Sequence, residues 1–275
     1  MASDSGIATR VDAIFAAVVR GDAADTDALL ALGDAVVPAV TPYLSSADVN
    51  VRTEAVALLA ALGSSAAATA LLPALVDMSA DIRERAAEAV LAQVEAAGAM
   101  PGLDAAVAKA LRIEDPGASV LLLGAFSPAA TDSLRKAVDA TRLVKLTDAD
   151  LPVAAGLAAR VSLARLGDLP ARSALADTIQ HGDVADLLFL LDVLPLVDDP
   201  SLIHALAART LDDMRPAGGG VPAEVEPARR IADHAVDALS ARLRLKLSFA
   251  PDGISRYSDA EITEVRRAVS ESIPT

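Results

Sequence analysis

Residues 42–62 read PYLSSADVNVRTEAVALLAAL, and residues 73–94 read PALVDMSADIRERAAEAVLAQV. A shift of 31 positions lays one on the other: Pro42 on Pro73, Leu44 on Leu75, Asn50 on Asp81, Val51 and Arg52 on Ile82 and Arg83, Ala55 on Ala86, Leu59 on Val90. The agreement is in residue type more than in identity. Each copy has a proline within one helix, a short polar turn, and then a β-branched residue and arginine opening the next helix. In the second helices the apolar residues recur at helical spacing. Val51, Ala55, Leu58, Leu59 and Leu62 fall at i, i+4, i+7, i+8 and i+11, and Ile82, Ala86, Ala89 and Val90 repeat the stripe. Asp48 and Ser79, at matching positions, are the expected N-caps. Alternation with period two is absent over any useful length, so no strands are expected.

A single helix pair cannot hide such a stripe, but a neighbour carrying the same stripe can, and each neighbour needs another. Burying each Val or Leu stabilises by ~1.5–3 kcal/mol, so several per contact hold a stack together. The stretches LSSADVNVRTEAVALLAAL and LVDMSADIRERAAEAVLAQV resemble the HEAT repeat, a pair of antiparallel helices in which an apolar residue and arginine start the second helix. The resemblance is specific over roughly residues 36–96 and degenerate elsewhere. It implies an all-α fold, a right-handed α–α superhelix built as a degenerate HEAT-type helix-pair solenoid with a C-terminal capping helix. In this reading residues 1–275 form a single solenoid. Residues 1–35 are N-terminal cap helices, 36–97 the best-defined repeats, 98–214 degenerate repeats, 215–227 a flexible Gly/Pro loop, and 228–275 a C-terminal helix and cap.

The remaining sequence parses as further helices, among them SPAATDSLRKAVDATR with Ser127 as cap, DLPVAAGLAARVSLARLG, and the long PARRIADHAVDALSARLRLKL. The segment RPAGGGVPAEVEP (215–227) has too many glycines and prolines for a helix. A last helix is expected from Ser258, where Ser-Asp-Ala-Glu has capping-box spacing through Glu261.

Hydrophobic residues make up 53% of the chain, and mean hydropathy is +0.41. Yet the strongest apolar runs, SVLLLGAF (119–126) and LLFLLDVLPLV (187–197), fall short of the ~18 residues that span a bilayer. MASDSGIATR lacks the basic-then-apolar pattern of a secretory signal. A soluble, cytoplasmic protein with no membrane partner is expected. There is no cysteine, which excludes disulfides, thiolate nucleophiles and cysteine-ligated zinc. Aromatics are only 2%, a composition suited to closely packed helices rather than a β-sandwich.

Formal net charge is −14. Residues 1–110 hold 14 acidic and 6 basic side chains, whereas residues 225–275 hold 8 of each. An acidic body repels phosphate backbones, so nucleic acid is not an expected partner. Two readings of the acidity stand: it solubilises a large helical surface, or it attracts a basic partner.

Residues able to do chemistry are scattered. His181, His204 and His234 lie on three different segments. His181 ends a helix, where a cation suits the dipole. His234 has Arg230, Asp233 and Asp237 nearby on the same segment, a pattern of a solvated or ion-paired helix face; a metal would need ligands from elsewhere. The pairs Asp148/Asp150, Asp198/Asp199 and Asp212/Asp213 are too common a feature to mark a catalytic site, and aspartates near helix ends cap and turn. No P-loop, Rossmann, zinc-protease or nucleophile-elbow motif occurs. SARLRLKL (240–247) brings Arg242, Arg244 and Lys246 together, either as a helix-end cation cluster or as a docking point for an acidic partner. On an extended segment these cations would share one side.

The expected function is therefore that of a non-catalytic scaffold binding a protein or peptide on an acidic concave surface, as an inhibitor, an immunity protein or an adaptor would, with no cofactor and no metal. A basic partner would fit the acidic wall. HEAT-type solenoids line the concave face with the second helices of each pair, so the candidate contacts are Thr53, Glu54, Glu84, Arg85 and Glu88, then Arg160, Asp186, Asp192, Arg230 and Asp237. Arg52 and Arg83 are expected to tie adjacent repeats. The alternative is a HEAT-like enzyme, or a lyase or assembly chaperone acting on a protein-bound substrate. Against the DNA glycosylases of this fold stand the charge and the missing tryptophan; against the bilin lyases, the scattered aromatics.

Overall fold

The structure is a computed structural model, and it describes residues 4–22, 26–140, 143–144, 153–217 and 228–273. Its helices gather into two compact units, Met1–Ala137 and Val138–Thr275. The division falls inside the stretch 98–214 that the sequence reading treats as one run of degenerate repeats.

The first unit contains α1 (Asp4–Arg20), α2 (Asp27–Leu30), α3 (Val37–Val40), α4 (Val49–Leu62), α5 (Ser65–Leu71), α6 (Ala80–Ala97), α7 (Leu103–Ala110), α8 (Ala118–Leu123) and α9 (Thr131–Ala137). The 31-residue register is visible in the backbone. α3 passes into a 3₁₀ turn at Thr41–Ser45 and α5 into another at Leu72–Val76, with Pro42 and Pro73 each in the second position. Proline has no N–H and its ring clashes with the carbonyl four residues back, so the α ladder cannot run through it. The tighter turn is the outcome. Each proline thus lies within a helical segment, as the sequence suggests, at the point where the helix tightens.

α4 starts where Asp48 accepts a hydrogen bond from the Asn50 N–H at 2.8 Å. Ser79 occupies the same position before α6, but its side chain makes no capping bond. Asp77, two residues upstream, instead accepts from the Ser79 N–H at 2.8 Å. α4 packs against α5 and α6, and α6 against α5 and α8. Val51, Ala55, Leu58 and Leu59 are buried there, as are Ile82, Ala86 and Val90; Leu62 and Ala89 are only half-buried. SVLLLGAF is core, with Leu121, Leu122 and Leu123 fully enclosed.

Among its described residues the second unit has two strands, β1 (Leu143–Val144) and β2 (Val153–Ala154), and six helices: α10 (Ala155–Arg165), α11 (Leu169–His181), α12 (Val184–Asp192), α13 (Pro200–Thr210), α14 (Ile231–Leu243) and α15 (Asp259–Ser272). The antiparallel pairing of Leu143 with Ala154 and Val144 with Val153 corrects the expectation of no strands. A ladder of two residues is too short to leave a period-two signal. α14 is shorter than the apolar pattern suggested: Arg229 and Arg230 precede it, and Arg244 takes a left-handed backbone (φ 51°) that ends it. α15 opens with the expected reciprocal cap between Ser258 and Glu261. The Gly/Pro loop lies largely outside the described residues. Among those residues, no helix is long and apolar enough to cross a membrane.

Candidate interaction surface

The repeated arginines are consumed inside the first unit. Arg52 Nη1 donates to the carbonyls of Ser46 (2.9 Å) and Ala47 (3.3 Å) in the turn before its own helix. Its other edge forks onto Asp77 in the following turn, Nε to Oδ2 at 2.7 Å and Nη2 to Oδ1 at 3.2 Å. Arg83 repeats the first half, with Nη1 donating to Asp77 O (2.8 Å) and Met78 O (3.2 Å), and then reaches the next turn through Nη2 to Asp115 O at 2.9 Å. Each arginine thus fastens the turn before its helix to a turn further along the chain, with the planar donor fork suited to that task. Burial alone would raise the Asp77 carboxyl, but Arg52 and the Ser79 N–H outweigh it and hold it below the usual carboxylate range.

Glu84, a sequence candidate for partner contact, is 8% exposed and works inside the packing. Its Oε1 accepts from the Ser119 N–H at 2.8 Å, so a side chain of α6 caps α8 from across the unit. Gly117, the residue before α8, has no side chain to do so, and a Cβ there would come within 1.6 Å of Glu84 Oε2. Burial pushes the Glu84 carboxyl up, against the lowering effect of the Ser119 bonds.

The other candidates of this unit stay near the surface. Thr53 and Arg85 are exposed and Glu54 and Glu88 half-buried. In the 31-residue register Glu54 and Arg85 are equivalent, so adjacent helices α4 and α6 carry opposite charges at one position of the repeat.

In the second unit the candidates divide. Arg230 and Asp237 belong to a buried network. Asp233, fully enclosed, accepts from Arg230 Nη2 (2.8 Å), Arg230 N (2.7 Å) and Tyr257 N (3.0 Å). Burial would raise this carboxyl, but the bonds from Arg230 and the backbone hold it low. Asp237 pairs with Arg229 and accepts from Tyr257 Oη at 2.6 Å. Arg160 is half-buried and donates to the Val138 carbonyl at 3.3 Å. The Asp186 carboxyl is raised, first by burial and then by Asp183. Asp192 ends α12 open to solvent on one side; crowding by protein on the other pushes its carboxyl up to about 6.

Sequence reading missed Asp77 and Tyr257, and took Asp198 and Asp213 only as members of common carboxylate pairs near helix ends. Asp77 had a signal, since it stands six residues before Arg83 as Ser46 does before Arg52. Asp198 bridges Arg165 (2.8 Å) and Arg242 (3.0 Å), and the nearly enclosed Asp213 joins Arg209 and Arg215. The Asp198 pairs join residues brought together only by folding, whereas Arg209 and Arg215 lie four and two residues from Asp213 in the chain. A crevice lined by Arg165, Arg172, Leu175, Asp198 and Asp199 has about 10 Å³ of room, enough for one water. Among the described residues, no three side chains of the metal-binding kind gather.

Compared with protein-family models, with curated proteins and with solved structures, the chain matches none of them. Its class is set by its elements: a mostly helical protein of two units, the first built on a duplicated helix pair.

Proposed function

We propose that the helix pairs of residues 36–97 are HEAT-type repeats and that the chain is a non-catalytic, cytoplasmic scaffold, binding a protein or peptide along α4 and α6. The observation that carries this reading is a division of labour among neighbouring side chains. Arg52, Arg83 and Glu84 are spent on holding turns and a helix end, while Thr53, Glu54 and Arg85 beside them reach the surface. The 14 acidic against 6 basic side chains of residues 1–110 favour a basic partner through long-range attraction. Inhibitor, immunity protein and adaptor all fit this arrangement.

The test is capture from the native cell with the wild-type chain and a Glu54→Lys/Glu88→Lys variant as baits. A catch lost by the variant, and weakened by salt, is the expected result. The same catch from both baits would overturn the reading.

A further inference from the structure

The basic stretch SARLRLKL is divided by the fold. Arg242, still helical, pairs with Asp198 at 3.0 Å. α14 then stops, and the Leu245 N–H turns back to the Ser240 carbonyl at 3.1 Å. Beyond that point exposure alternates. Arg244, Lys246, Ser248 and Ala250 are exposed; Leu245, Leu247 and Phe249 are half-buried. This is the period of an extended chain, and it sets both cations on the outer side. Neither Arg244 nor Lys246 has a carboxylate partner among the described residues, although the chain has 38 carboxylates for 24 cations.

The loop that follows is held by many bonds yet displays what it does not use. Asp252 accepts from the N–H groups of Ile254 (2.9 Å) and Ser255 (2.7 Å). Arg229 donates to Gly253 O at 2.6 Å and Ser255 O at 3.3 Å, and Tyr257 Oη accepts from Asp252 N at 2.9 Å. Phe249 and Tyr257 bring the extended segment and the loop to one base, their ring centroids 5.5 Å apart. On this fixed frame Ile254 is 77% exposed, and Arg256, two residues on, is exposed and without an ion-pair partner among the described residues. A rigid backbone presenting an apolar side chain beside free cations loses little conformational freedom on association.

We propose that residues 244–256 are a docking arm for an acidic peptide segment of a partner protein, with carboxylates meeting Arg244, Lys246 and Arg256 and an apolar side chain meeting Ile254. Charge complementarity with three cations unpaired among the described residues, beside an exposed apolar side chain that a phosphate backbone would leave unmet, selects this occupant. The arm lies in the second unit, so it stands or falls independently of the α4/α6 surface.

The test is fluorescence anisotropy of the full chain with a labelled peptide rich in Asp and Glu around a central Leu. A Lys-rich peptide and a single-stranded oligonucleotide serve as comparisons. The acidic peptide is expected to bind best at low salt and to weaken steeply as salt rises. Arg244→Glu/Lys246→Glu should lose about tenfold in affinity, and Ile254→Ser about threefold. These side chains make no described bonds, so the variants should melt with the wild type; Arg256→Glu is a second charge reversal should the double variant melt lower. No binding of the acidic peptide, equal binding by wild type and charge-reversed variants, or tighter binding of the oligonucleotide would each overturn the proposal.

Discussion

Among the single residues, Asp233 shows how a carboxylate becomes a keystone. It is fully enclosed, and Arg230, two backbone amides and the start of the C-terminal cap all depend on it. Asp233→Asn should cost about 3–5 kcal/mol, because it leaves the Arg230 guanidinium buried without its counter-charge. Urea denaturation measures this directly. Because the folded carboxyl titrates below its unfolded range, its stabilisation is present above about pH 4 and is lost as pH falls further. Asp192 has the opposite sign. Its carboxyl is raised by burial to about 6, so the contribution is full below the unfolded value of 3.8 and is lost as pH rises through about 6. Asp192→Asn should therefore match the wild type in melting temperature near pH 4 and exceed it at pH 7.5, by no more than ~1 kcal/mol since one side of Asp192 is open to water. The Arg230 partner could be read from the sequence as a neighbour on the same segment, but the Tyr257 amide could not. Asp233 was visible as a carboxylate near His234 and Arg230, but its burial comes from Tyr257 and the loop before it, far along the chain.

The helices were more legible than their side chains. The 31-residue echo located α4 and α6 and most of their buried stripe, because helical spacing of apolar residues is a property of the chain itself. Their first partners were less clear, since proline turns each into a short α-helix and a 3₁₀ turn. Leu59→Ala or Val90→Ala should cost ~2–5 kcal/mol by opening cavities at positions 1% and 0% exposed; an unchanged melting temperature would remove them from the core. Glu84 went unrecognised as a cap because it serves a helix more than thirty residues away. Gly117→Ala should lower the melting temperature by displacing that carboxylate, whereas Gly117→Ala in a Glu84→Ala background should cost less than the sum of the two changes. Close approach also explains Gly156 in α10, where a Cβ would lie 2.2 Å from the Val138 carbonyl oxygen.

For the whole molecule, composition excluded more than it identified. The acidic charge, the absence of cysteine and the short apolar runs narrowed the chemistry, but a binding surface needs to know which charges the fold has already used. In the second unit most arginines are engaged with aspartates, which turns an apparently charged surface into internal fastening. In the first, the fastening arginines alternate with side chains left outside. That partition is the central claim, and hydrogen exchange on the chain with and without its captured partner tests it most directly. The account predicts slowed exchange along the outer sides of α4 and α6, around Thr53, Glu54, Arg85 and Glu88. Exchange unchanged there, with slowing confined to other elements, would contradict it.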